Sequence, residues 1–274
     1  MTAVIITEAI CLRGYDFSES SRALHFYSPQ RGLIRAAAKG MRGAKSALSG
    51  VGEKLAISHL QLRTGASLHT ILQYQSVEAF PFLRSDLMAL ACASLLAETT
   101  HRLGGEDDVD AEPTYMALRG ALYRLQAVAV GAPQTREGEA IGVLAQSLLH
   151  LLSLSGYAPA LDYCVVSGEP LDWQASFYAF SPELGGVLSP DAARRETGGS
   201  RVNVSTATLR ALSAPERADW QRVDATRALG FLRYYLTYRL ERPLRAFTFL
   251  LSLTSAPTPA STGASLTRPS PALE

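Results

Sequence analysis

The sequence predicts an α+β protein of more than one domain. A small antiparallel β-barrel is expected in residues 1–80, then a helical domain over 81–253 with a small β-rich insert at about 160–195, then a disordered tail over 254–274. Three observations carry this. Five short β-like segments separated by turn residues fall within the first 80 positions. The apolar period then changes to a helical one after Pro81. From Thr254 onward Pro, Ser, Thr and Ala displace any apolar period.

The first strand is the β-branched run Ala3 to Cys11, and Arg22 to Ser28 alternates loosely as a second. Pro29 to Gly32 is a turn, because Pro fixes φ and Gly accepts positive φ. Gly32 to Lys39 resumes a strand. Leu55 to Arg63 alternates with a phase slip between Ile57 and Leu60 that a β-bulge would explain, and bulges help to close small barrels. Leu68 to Val77 is the fifth strand. Beyond Pro81, Leu87, Ala91, Leu95 and Thr99 fall on one helical face, with Ser85 as N-cap and Asp86 in the first turn. Glu106 to Glu112 reads as a solvated acidic loop. Pro113 opens a second helix and 137–155 make a third. The segment 160–190 is β-like, Ala207 to Leu212 a short helix, and Arg222 to Arg242 a longer one with a stripe at Leu229, Leu232, Leu236 and Leu240. Pro243 breaks it before a last helix, Leu244 to Leu253.

Charge is segregated along the chain although the net is only +1. Residues 1–63 hold nine Arg/Lys against four Asp/Glu, residues 64–200 seven against sixteen, and residues 201–245 nine against four. Such a chain can hold a polyanion on one region without being basic overall. Arg31, Arg35, Lys39, Arg42 and Lys45 lie in one stretch without an acidic residue, and Gly40, Gly43 and Gly50 loosen its second half. Repeated positive charge on an adaptable track suits a phosphate backbone. Phe26 and Tyr27 sit one strand earlier. Alternation predicts that one ring faces out, where it could stack on a base, while the other enters the core. The competing reading is a solvated loop with no ligand.

Other chemistry is sparse. Lys39 to Ser46 ends in Gly-x-Lys-Ser but has the wrong glycine spacing for a phosphate-wrapping P-loop. The chain has no Gly-x-Ser-x-Gly elbow and no His-Glu-x-x-His, and its five histidines are scattered, so neither an enzyme nor a cofactor is expected. Three distant cysteines, Cys11, Cys92 and Cys164, fit a reducing cytosol, and neither a signal peptide nor a membrane span is read. Arg227, Arg233, Arg239 and Arg242, with Arg222 and Arg245, form a second basic set. On a continuous helix Arg239 and Arg242 lie 60° apart, away from the leucine stripe. They could meet DNA or an acidic peptide, or be snorkelling arginines of an ordinary amphipathic helix.

The order of Thr7 to Arg13, Asp16 to Ser20, Gly32 to Arg42, Glu78 to Pro81, Leu152 to Pro159, Leu161 to Val166 and Phe180 to Gly186 resembles the RecO family of recombination mediators. The resemblance implies an N-terminal OB-fold, a helical domain and often a zinc-binding insert. It implies binding and annealing of single- and double-stranded DNA, action with RecR, recognition of the acidic C-terminal tail of single-strand-binding protein (SSB), and help to RecA in loading on SSB-coated DNA. A bacterial cytoplasmic, nucleoid-associated protein follows. The acidic middle would repel DNA and contact proteins instead. The sequence departs from the family at the insert: where the family has two Cys-x-x-Cys pairs, this chain has Cys164 with Ser167, and Ser189 with Ala192. Hydroxyl and methyl groups do not replace thiolates, so a degenerate zinc finger without metal is expected. The alternative function is an RNA-binding or scaffolding OB-fold protein without annealing activity.

Overall fold

The structure is a computed structural model, and it describes residues 3–18, 21–39, 51–196 and 198–254. Five strands, β1 (Val4–Ser18), β2 (Ser21–Ser28), β3 (Gly32–Lys39), β4 (Ile57–Arg63) and β5 (His69–Glu78), close into a barrel of order β1-β2-β3-β5-β4. All pairings are antiparallel except a short parallel contact of β3 with β5. This is a five-stranded barrel of the OB type. Its interior is filled by side chains such as Leu24, Phe26, Ile34, Leu60 and Leu62.

Alternation along β2 predicts one exposed ring, yet Phe26 and Tyr27 are 0% and 1% exposed. Phe26 points into the barrel. Tyr27 points out of it, into a second core where Ile10, Leu12, Tyr27, Leu55 and Ile57 of the barrel pack against the helices. The expected phase slip in β4 has the same cause: Ile57 faces the helices and Leu60 the barrel interior. A register shift does lie beside it, between Ile57 and Ser58, with the extra residue on β5. The first strand also runs well past the expected Cys11. Leu12 faces the helices like Ile10, and a bulge there brings Arg13 to the same outer face, paired opposite His25.

After α1 (Pro81–Ser85) come α2 (Leu87–Leu103), α3 (Ala111–Val130) and α4 (Arg136–Leu154), which form the helical core. Asp86, not Ser85, caps α2: its carboxylate accepts from Ala89 N at 2.8 Å and meets Arg136 at 3.2 Å. Tyr115 on α3 donates to Glu8 of β1 at 2.5 Å, and Arg119 reaches the same carboxylate at 3.4 Å, which ties barrel to helices.

The insert is a sheet of order β6-β8-β7-β9, from β6 (Ala160–Cys164), β7 (Phe177–Ser181), β8 (Gly186–Leu188) and β9 (Val202–Ser205). Its last strand lies beyond the expected limit of about 195. Between β8 and β9 sits α5 (Pro190–Arg195), and α6 (Thr206–Ser213), α7 (Ala225–Leu240) and α8 (Arg245–Thr254) follow. The expected helix to Arg242 stops at Leu240 with Glu241 at φ 54°, so Arg242 is off the helix and the 60° relation to Arg239 does not hold. The restriction that Pro243 places on its predecessor explains the early stop.

Candidate nucleic-acid interface

The exterior of β1–β2–β3 is set by register. Arg13 lies opposite His25, which lies opposite Arg35, so two arginines with a histidine between them form one row across the barrel. Tyr15, two residues beyond Arg13 on the same face, is 46% exposed. The Arg13 guanidinium carbon is 5.7 Å from the Tyr15 ring centre, and the Tyr15 and His25 rings are 5.8 Å apart. An exposed ring with a guanidinium beside it is the arrangement on which an unpaired base stacks.

His25 is held by a second imidazole. Its Nδ1 lies 2.6 Å from Nε2 of His101 on α2. Burial holds both rings below the ordinary histidine range. Arg13 and Arg35 push both the same way, Glu106 opposes the shift at His25, and His101 falls to about 4 with Arg102 adding to the effect. Both imidazoles are therefore neutral at pH 7, and positive charge dominates the field around them.

The expected track on β3 is only partly free. Arg35 Nε lies 2.5 Å from Glu106, and Arg31 Nη1 lies 2.8 Å from Asp107. The loop that carries these carboxylates is not the solvated linker expected from its composition. It docks on β3 through Leu33 N to Gly105 O at 2.8 Å and Asp108 N to Arg31 O at 3.3 Å. Gly32, at φ 61°, permits this approach, since a Cβ there would stand 2.5 Å from the Gly105 carbonyl. Lys39 ends β3 opposite Ser21, and Arg42 and Lys45 lie outside the described residues.

Neither Phe26 nor Tyr27 can stack on a base, contrary to the sequence expectation, because neither reaches solvent. The exposed ring on this face is Tyr15, with Arg13 beside it. The signal that finds them is the resumed alternation Arg13, Tyr15 after an apolar pair, which needs the strand to continue past Cys11.

The arginines of the C-terminal set do not converge. Arg227 pairs with Asp224 at 3.0 Å. Arg239 lies 5.3 Å from the Tyr235 ring centre and donates to that hydroxyl at 3.0 Å. Arg233 and Arg242 are exposed. Arg239 thus follows the packing reading, with Tyr235 buried below it.

At the insert, Cys164 is buried and packs in the same core as Leu188 and Ala192. Burial pushes its thiol up, but hydrogen bonds from Ser189 and Ser167 outweigh that and bring it down to about 6. Ser189 also caps α5 by accepting from Ala192 N at 3.2 Å. One thiol, two hydroxyls and a methyl group do not fit tetrahedral zinc. Among the described residues no three His, Cys, Asp or Glu side chains group as a metal site.

Fold and surface together define an OB-barrel protein built onto a helical domain, with cations and an exposed aromatic ring gathered on the barrel exterior. Comparison with known proteins makes this specific. The family models described as "Recombination protein O N terminal" and "Recombination protein O C terminal" match residues 1–80 and 84–246. The DNA repair protein RecO of Roseiflexus sp. (strain RS-1) is 33% identical over 274 residues, covering 96% of this chain and 91% of that protein. That of Gloeobacter violaceus is 30% identical over 249 residues, covering 88% and 90%. The chain belongs to the RecO family of DNA repair and recombination proteins.

Proposed function

We propose that this chain is a recombination mediator that binds single- and double-stranded DNA without reading sequence. It anneals complementary strands and helps RecA load on SSB-coated DNA, with RecR and the acidic SSB tail as protein partners. The observation that carries this reading is the row Arg13, His25, Arg35 on the barrel exterior, with Tyr15 exposed beside it. Guanidinium groups hold phosphates and a ring holds the face of any base, so neither contact selects a sequence. Membership of the RecO family supports the pathway. The reading includes no bond-cleaving chemistry, and it places the protein at the nucleoid in the bacterial cytoplasm. Among the described residues no helix is long and apolar enough to cross a membrane.

The test is annealing of complementary strands, bare and SSB-coated, by the native chain and by Arg13→Glu with Arg35→Glu. Native protein should anneal both and the double reversal neither. Equal annealing by the two proteins would contradict the reading. A marked preference for RNA over DNA of equal length would favour the RNA-binding alternative.

A further inference from the structure

The row on β1–β2–β3 does not end at the barrel edge. Arg13 and His101 also line a cleft of about 490 Å³ between the barrel and the helices α2 and α8. Lys54 from the barrel, Arg102 from α2 and Arg245 from the start of α8 complete its basic lining. Among the described residues none of Arg13, Lys54, Arg102 and Arg245 has a carboxylate within ion-pair distance, in contrast to Arg31 and Arg35. The one carboxylate in the cleft, Glu98, is already engaged. Its two oxygens accept from Arg245 N at 3.0 Å and Ala246 N at 2.8 Å, which satisfies the first amides of α8. Lys54 is anchored from α1, where Arg84 Nη2 donates to its carbonyl at 2.5 Å. The apolar wall ends in Phe249, which is 45% exposed while its helix neighbours Phe247 and Leu250 are buried. Four cations against one carboxylate in a concave site, beside a ring open to water, call for a ligand with a negative group and a flat face.

We propose that this cleft binds a nucleotide of the single strand held on the barrel exterior, with the phosphate among Lys54, Arg102 and Arg245 and the base against Phe249. The proposal rests on the strand-binding reading above and names the part of that interface that distinguishes single strands from duplex. Continuity argues for one strand across both surfaces, because Arg13 belongs to both and His25 of the row is bonded to His101 of the cleft. Size argues for an unpaired strand. The volume is that of a small-molecule site, about 300–1,000 Å³, and has no room for a base-paired helix.

The experiment is fluorescence anisotropy with a labelled single-stranded oligonucleotide and the matching duplex, each titrated with salt. It compares native protein with Arg102→Glu/Arg245→Glu and with Phe249→Leu, which keeps an apolar side chain and removes the ring. The charge reversal should weaken single-strand binding at least tenfold and flatten the log–log salt slope by about 0.7, the share of the one phosphate held there. Phe249→Leu should weaken single-strand binding by about five- to hundredfold without changing the slope, as loss of one stacked base does. Duplex binding should stay within about twofold in every variant. Equal losses on both substrates, or losses on neither, would overturn the cleft assignment. So would variants that retain single-strand binding but lose an acidic peptide, because the cleft would then be a peptide site. Failure of native protein to bind any DNA would instead overturn the strand-binding reading itself. Thermal unfolding of each variant shows that the comparison is between folded proteins.

Discussion

Tyr15 stands 46% exposed with the Arg13 guanidinium carbon 5.7 Å from its ring centre, whereas Phe26 and Tyr27 are shut in two different cores. The three aromatic residues should therefore fail in different ways. Tyr15→Ala should leave stability nearly unchanged and cost about 1–3 kcal/mol of single-strand binding, measured by anisotropy. Phe26→Ala should cost about 3–5 kcal/mol of folding stability in urea. A Tyr15→Ala variant that binds as well as native protein would remove the ring from the interface. The imidazole pair makes a second prediction at this scale. His101 is held down to about 4, first by burial and then by His25, Arg13, Arg102 and Arg35. Between pH 6.5 and 4 the unfolded chain takes up a proton that the folded protein refuses, so stability falls as pH is lowered through that window. Above 6.5 this group contributes no slope. His101→Gln should flatten the acid side of a plot of urea midpoint against pH, and an unchanged slope would contradict the account.

At the scale of elements, the docking of loop 105–108 on β3 governs how much of the basic strand is available. The pairs Arg31–Asp107 and Arg35–Glu106 are solvent-exposed, with side-chain exposures of 42% and 79%, and 54% and 50%. Such pairs contribute about 0–1 kcal/mol each, so a phosphate can displace the carboxylates. Glu106→Gln with Asp107→Asn should tighten DNA binding by up to about fivefold per site at low salt, with the gain fading as salt rises. Weaker binding would show that the loop positions the arginines instead of competing with DNA. The strand β3, its basic residues and the turn before it are readable from sequence because they are local. The carboxylates that meet them are not, since Arg31 and Asp107 are 76 positions apart. Helix ends show the same division. The leucine stripe of α7 follows from its period, but its end at Leu240 depends on backbone at Glu241 and Pro243 that an apolar pattern does not report.

At the scale of the whole molecule, one barrel serves two layers. A period of two separates inside from outside, but it does not reveal that part of the outside is covered. Tyr27 and Ile57 are outward residues buried by helices that come later in the chain. For that reason the barrel and the helical domain were legible, while the ring that faces solvent was not. Arg13 and Tyr15 were missed because the bulge at Leu12 breaks the strand pattern just before them. The same burial gives barrel and helices a shared core, with Glu8, Tyr115 and Arg119 bonded across the junction. The basic row is held in register by the pairing of β1, β2 and β3.

The most direct measurement is the salt dependence of single-strand affinity for native protein and for Arg13→Glu/Arg35→Glu. The account predicts a native log–log slope of roughly −2 to −3.5, from three to five phosphate contacts at about −0.7 each. It predicts that the double reversal weakens binding strongly and flattens the slope by at least about 1.4. Native binding that ignores salt, or a reversed protein with the native slope and affinity, would contradict it.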